Sequence, residues 1–291
     1  MNEAVIDACA KLNLTLNILG RRADGFHELE TVMQSVTLCD TVTVRLTQSG
    51  VTAQTDCALL EAGGENLAQR AAERFFEYAG LRCGAQITIK KRIPLSAGLA
   101  GGSADAAAVL TALSLLTGAP LSHEELAKAA ATLGADVPFC LSGGTALCRG
   151  VGEKITAVPA MPTCPIVLAK SGEKASTAQA YAEYDRRGAA AAADNGAMIE
   201  ALAGGDLRQI GALLRNAFEG LTMYEAVMPI RDTMLRCGAA GAAMTGSGPA
   251  VFGLFENEAD AQSCLAKLGR QGVRASLCRP AATGCIVKNI G

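Results

Sequence analysis

No tryptophan occurs anywhere in these 291 residues, and histidine occurs only twice. Two imidazoles leave little from which to build a histidine-rich metal centre. Eleven cysteines are present, but they stand singly from Cys9 to Cys285, with no C-x-x-C pair. A structural zinc site made from local cysteine pairs is therefore not expected. Their odd number and apolar settings (ADVPFCLSGG around Cys140, MPTCPIVLAK around Cys164) suit buried thiols in a reducing cytosol. A basic excess is missing too. Lys and Arg number 26 against 28 Asp and Glu, for a net charge of -2 and a pI near 5.8. Binding to a nucleic-acid backbone draws on clustered positive charge, so no nucleic-acid partner is expected. No run approaches the roughly 20 uninterrupted apolar residues of a membrane span. The opening MNEAVIDACAK lacks the basic and apolar regions of a signal peptide. A cytoplasmic protein with no membrane partner is the expectation. An aromatic share of 4% fits an Ala/Gly/Leu-rich α/β chain and is silent on function.

Half the positions are apolar, and the length suits one large or two moderate domains, either able to bury a core. Lys11 to Leu19 alternates, with Leu12, Leu14, Leu16 and Ile18 on one face of an expected strand and Lys11, Asn13, Thr15 and Asn17 on the other. Arg21-Arg22-Ala23-Asp24-Gly25 is a charged turn. Thr41–Leu46 and Ala85–Ile89 read as further strands, and Asn66–Tyr78 as a helix. Ser103 is the expected N-cap of an Ala-rich helix that Gly118 and Pro120 stop. Ser122 and Glu125 form a capping box for a second helix ending at Gly134. Ala135 to Pro138 reads as a short exposed connection. Prolines cluster between Val158 and Pro165, which sets the expected domains at 1–158 and 159–291. Beyond them come a strand at Ile166–Ala169, several helices, an alanine run at 189–193 read as helix end or loop, and a small-residue turn, Met244 to Pro249, between two apolar strands. There is no internal repeat. Strands and helices intersperse irregularly, so the fold class expected is α+β.

The stretch Pro94-Leu-Ser-Ala-Gly-Leu-Ala-Gly-Gly-Ser103 carries the most chemistry. Glycines let backbone N–H groups turn inward, and a helix N-terminus adds unpaired donors and partial positive charge. Such a loop either cradles phosphates or simply caps a helix; three glycines in five residues favour the cradle. It is neither a Walker A loop nor a dinucleotide-binding fingerprint, and the protein-kinase motifs are absent. Asp136, held by the following Val-Pro, is the best general-base candidate, with a solvated loop carboxylate as the alternative. Lys11 is the best cation candidate, because Asn13 and Asn17 share its face; a solvated strand lysine is the alternative. Asp105 is read as complementing the helix dipole, and His123 as an exposed histidine.

Together these residues resemble the GHMP kinases. Pro94 to Ala107 is similar to their ATP loop; Ala10-Lys-Leu-Asn-Leu and Gly246-Ser-Gly-Pro resemble their other two signatures, in the same order. Arg21-Arg-Ala-Asp-Gly-Phe-His-Glu-Leu, Gly134-Ala-Asp-Val-Pro and Gly150-Val-Gly-Glu-Lys further resemble the branch acting on diphosphocytidyl-methylerythritol. The resemblance implies a two-domain α+β fold with an interdomain active site, ATP with Mg²⁺, and a small cytidine diphosphate-linked substrate. It implies Asp136 as base and Lys11 as the residue holding the hydroxyl. Asn13, Phe26, His27 and Tyr181 would bind substrate, the two aromatics by stacking. Asn66, Pro94, Ser96, Ala97, Gly98, Leu99, Ala100, Gly101, Gly102 and Ser103 would bind ATP, with Ser103 the candidate Mg²⁺ ligand. Phe26 stands where tyrosine is usual, Ala100 where glycine is frequent and Cys9 where proline is common. Two other readings stay open. One is a GHMP kinase for mevalonate, phosphomevalonate or homoserine, against which Phe26-His27 argues, since those compounds offer no base to stack upon. The other is a ligand sensor of the same fold, against which the retention of Lys11 and Asp136 argues.

Overall fold

The computed structural model describes residues 2–57, 66–118, 120–170, 172, 176–188, 192–221, 224 and 226–291. Its spine is β3 (His27–Thr47), much longer than the Thr41–Leu46 strand legible in the sequence. Against it lie β1 (Glu3–Asn13) and β2 (Thr15–Arg21), which replace the single strand expected over Lys11–Leu19. The break at Leu14 coincides with a one-residue slip in the antiparallel register against β3: Asn13 faces Met33, whereas Asn17 faces Glu30. The polar side chains Lys11, Asn13, Thr15 and Asn17 are all buried, so neither face of this segment meets solvent. β4 (Val51–Thr55) and β5 (Gly84–Lys90) extend the sheet on one side of β3.

Helix α1 (Leu67–Ala79) is capped by Asn66, whose side chain accepts from Ala68 N, and ends at the left-handed Gly80. Helix α2 (Gly101–Leu116) starts three residues earlier than expected. Ala100, at φ 56°, forms its N-cap without a side-chain bond, and Ser103 sits inside the first turn. The glycines thus belong to the helix start as much as to the loop. Every residue from Ala104 to Leu110 is buried, as befits a helix enclosed on all sides. α3 (His123–Leu133) has the expected capping box, with both bonds made, and ends at Gly134. The expected exposed connection after it is instead the start of α4 (Val137–Ser142), with Val137 and Pro138 buried and Asp136 at its N-cap. Pro138 suits this first turn because its missing N–H needs no partner there.

β6 (Thr145–Gly150) returns along β3 and carries β7 (Lys154–Ala157). An irregular stretch over 158–165 leads to β8 (Ile166–Lys170). There follow α5 (Thr177–Arg187), α6 (Asn195–Gly204), α7 (Leu207–Leu213), β9 (Arg215–Asn216), α8 (Val227–Arg236), β10 (Gly241–Met244), β11 (Ala250–Leu254), α9 (Glu258–Arg270), β12 (Arg274–Cys278) and β13 (Cys285–Ile290). The first sheet has nine strands, with the path β13-β1-β3-β2-β9; the second has the order β10-β11-β8-β12. Alternation along β8 buries both faces of the second sheet. Ile166 and Leu168 join the core shared with the first sheet, while Val167 and Ala169 pack with Phe218, Met234 and Phe255. Of the alanine run, 189–191 lie outside the described residues; Ala193 exchanges two hydrogen bonds with the Asn17 amide. Seven of the eleven cysteines are buried and none is in a disulfide. Cys9 and Cys39, opposed across β1 and β3, bring their Sγ atoms to 3.1 Å. Among the described residues no helix is long and apolar enough to cross a membrane.

Candidate active site

Three sequence-distant segments close on one another around Asn13. Its Oδ1 accepts from Lys11 Nζ at 2.8 Å and from Gly246 N at 2.9 Å, while its Nδ2 donates to Thr31 Oγ1 at 2.9 Å. Its backbone N–H donates to Thr245 Oγ1 at 3.0 Å. Lys11 N donates to Leu99 O at 3.2 Å, and Ala250 N to Ala97 O at 3.2 Å. The end of β1, the glycine loop and the β10–β11 turn are thereby tied into one unit. Gly98 and Gly246 pass so close that a Cβ on Gly98 would lie 2.3 Å from Thr245 O, and one on Gly246 would lie 2.7 Å from Gly98 O. Both also hold positive φ, 80° and 56°, so glycine is required twice over at each.

The cleft bordered by this unit has a volume of about 1360 Å³. That exceeds the roughly 300–1,000 Å³ of a pocket for one small molecule and leaves room for two. Lys11, Asn13, Phe26, His27, Asn66, Pro94, Asp136, Tyr181 and every residue from Ser96 to Gly102 line it; Ser103 does not. Lys11 is 4% exposed, and its Nζ stands 3.9 Å from Asp136 Oδ2. A buried ammonium next to a carboxylate at a helix start can hold an oxygen nucleophile and relieve it of its proton. Lys11 is thus no solvated strand lysine, whereas the Asp136 side chain is 34% exposed at the cleft edge. His123, by contrast, is exposed as expected.

The aromatic end is arranged differently from a simple clamp of two rings. Phe26 is 64% exposed. Tyr181 stacks on His27 with ring centroids 4.4 Å apart and 17° between planes, and meets Phe218 edge-on. Burial, reinforced by the Asp136 charge, pushes the Tyr181 phenol up to about 12.

Sequence reasoning missed several residues that shape this cleft. Lys91 lies beneath the glycine loop, 7% exposed, between Asp40 and Asp105; its Nζ is 2.6 Å from Asp105 Oδ2. Burial alone would lower the Lys91 ammonium, but the two carboxylates outweigh it and hold it above the ordinary lysine value. Asp105 is therefore the partner of a buried lysine rather than a dipole-complementing residue in the first turn. Asp40 Oδ1 also accepts the backbone N–H groups of Arg92 and Ile93, at 2.5 and 2.8 Å. Asn216 Nδ2 holds the carbonyls of Met244 and Gly246, both at 2.9 Å. Lys170 Nζ caps Leu95 O at 2.8 Å. In the sequence Lys91 sits in a Lys-Lys-Arg run that reads as surface charge, and nothing local separates it from its neighbours.

Comparison with known proteins agrees with this geometry. Residues 66–144 match the GHMP kinases N terminal domain and residues 198–274 match GHMP kinases C terminal. The 4-diphosphocytidyl-2-C-methyl-D-erythritol kinase of Caldicellulosiruptor saccharolyticus is 42% identical, over 91% of this chain and 92% of that protein. Its namesake from Desulfitobacterium hafniense is 44% identical, over 91% of each. A solved 4-(cytidine 5'-diphospho)-2C-methyl-D-erythritol kinase superposes with a TM-score of 0.81 at 37% identity, covering 95% of this chain and 99% of that one. A homoserine kinase from Cytophaga hutchinsonii, 19% identical with a TM-score of 0.73 over 99% of this chain and 98% of that one, shares the fold. The chain belongs to the GHMP kinase family and, within it, to the 4-diphosphocytidyl-2-C-methyl-D-erythritol kinases.

Proposed function

We propose that this kinase transfers the γ-phosphoryl group of ATP to the 2-hydroxyl of 4-diphosphocytidyl-2-C-methyl-D-erythritol, with Lys11 and Asp136 at the reacting centre. The observation that carries the reading is the 3.9 Å Lys11–Asp136 pair, sharing one cleft with a glycine loop and an aromatic pocket. Phosphoryl transfer passes through a loose transition state, so positioning and charge neutralisation outweigh base strength. Lys11, aimed by Asn13, holds the attacking hydroxyl. Asp136 accepts its proton as the new P–O bond forms, and ADP departs with the electron pair of the old one. Backbone N–H groups of the glycine loop and the start of α2 face the phosphates. Asn66 spends its Oδ1 on the helix cap, which leaves its amide N–H groups for the adenine side.

Both carboxylates of the cleft floor stand beside ammonium groups, and among the described residues no trio of His, Cys, Asp or Glu is arranged to hold a metal. Such a donor set fits Mg²⁺ brought in by the nucleotide, which would draw few ligands from side chains. When bound, it would neutralise phosphate charge; Ser103, the ligand that the resemblance implies, stands just past the run of lining residues that ends at Gly102. The two family regions fall on either side of the proline-rich stretch, in keeping with a division into 1–158 and 159–291, although β9 and β13 from the second part join the first sheet. Buried, unpaired thiols support a cytoplasmic setting.

ADP release with Mg-ATP, compared across the cytidylated substrate, mevalonate and homoserine, tests the reading. Turnover of the cytidylated substrate alone is expected, reduced about 10²–10⁴-fold in Asp136→Asn with ATP binding kept. Near-normal turnover in that variant would sink the base assignment, and turnover of another acceptor would overturn the substrate.

A further inference from the structure

His27 is gripped on two sides by one helix. Tyr181 and Asp185 stand one turn apart on α5, an i, i+4 pair that shares a helix face. Tyr181 covers the imidazole face, and Asp185 Oδ1 meets His27 Nε2 at 2.8 Å. The imidazole is only 8% exposed, while the Asp185 carboxylate is 39% exposed. An ionised carboxylate can only accept, so Nε2 carries the hydrogen in this contact. In a neutral imidazole the other nitrogen then presents a lone pair. Nδ1 has no hydrogen-bond partner among the described residues, and His27 and Asp185 both line the cleft.

We propose that Asp185 is a positioning residue for base recognition. By accepting the Nε2–H of His27 it leaves Nδ1 as an acceptor for the exocyclic amino group of cytosine, and so sets the preference for cytosine over uracil. Uracil carries a carbonyl oxygen at that position and would confront one lone pair with another. The inference rests on the cytidylated-substrate reading above, but its first readout does not need substrate at all.

With only His27 and the exposed His123 in the chain, long-range ¹H–¹⁵N NMR of the full-length protein resolves each imidazole, and His123 serves as internal reference. In the wild type His27 should hold a single Nε2–H tautomer. Asp185→Ala, a good helix former at that site, should release it to a mixture; Asp185→Asn, which still offers Oδ1, should restore it. The second readout is kinetic, with cytidylated and uridylated methylerythritol diphosphates as acceptors. Asp185→Ala should raise KM for the cytidylated compound about tenfold, the scale of one lost hydrogen bond. It should narrow the preference over the uridylated one and lower kcat far less, with Asp185→Asn close to wild type. An unchanged His27 tautomer in Asp185→Ala, or an unchanged base preference, would overturn the assignment. A wild type that does not distinguish the two bases would likewise overturn it, whereas no turnover of the cytidylated compound at all would overturn the reading on which it rests.

Discussion

Replacing Asp105 with Asn should make the protein more stable than the wild type at pH 8 and nearly equal to it at pH 5. Asp105 is 4% exposed. One carboxylate oxygen is on Lys91 at 2.6 Å, and the other has no partner. Burial pushes the carboxyl from 3.8 up to about 7; Lys91 pulls it back and Asp40 pushes it further. In the unfolded chain the proton leaves near 3.8, so between the two values the native state holds more protons than the unfolded one. Stability contributed by this group is therefore complete below about pH 4 and is lost as pH rises through about 7. Three pH units correspond to about 4 kcal/mol. Asn keeps an acceptor for Lys91 but gives up a charge-assisted bond, worth about 1.5–3 kcal/mol against about 1 for the neutral one. The net gain at pH 8 should be about 2 kcal/mol. Equilibrium urea unfolding under reducing conditions at pH 5, 6, 7 and 8 measures it, followed by far-UV circular dichroism because there is no tryptophan to report. If the stability difference between variant and wild type is the same at pH 5 and pH 8, the raised carboxyl is wrong.

Asn13→Ala strands a buried ammonium and a backbone N–H at once; with water filling part of the gap, unfolding free energy should fall by about 3 kcal/mol, measurable in the same urea series. A loss below about 1 kcal/mol would mean the three segments are not held through Asn13. Ala100→Gly removes the strain of a left-handed alanine at φ 56° and should leave stability unchanged or raise it by up to about 1 kcal/mol; a clear fall in melting temperature would contradict that backbone. Phe26→Ala, at a side chain 64% exposed, should shift stability by less than about 0.5 kcal/mol. It should raise KM for the cytidylated substrate about tenfold or more, as loss of a stacked base does, and an unchanged KM would move the base elsewhere.

Much of this fold was readable because its signals are local. The capping box at Ser122 and Glu125, the stop at Gly134 and the Asn66-capped helix depend on neighbours within one turn. The glycine loop was legible for the same reason, although its helix starts before Ser103, because nothing local reveals that Ala100 adopts positive φ. What stayed hidden is what only tertiary pairing creates. The break at Leu14 goes with a one-residue register slip against β3, and Lys91 differs from Lys90 only through Asp40 and Asp105, 51 and 14 residues away. Asp185 was invisible likewise, since its partner lies 158 residues earlier.

The last strand of the chain, β13, pairs along β1 from Ala4 to Ala8, and β1 continues to the lysine at the reacting centre. During synthesis, therefore, the strand that carries Lys11 keeps one edge open until the six-residue β13 leaves the ribosome. An unpaired edge is a template for other chains. A nascent copy would therefore display that edge until β13 is made, and the first sheet closes only when β1 and β13 meet.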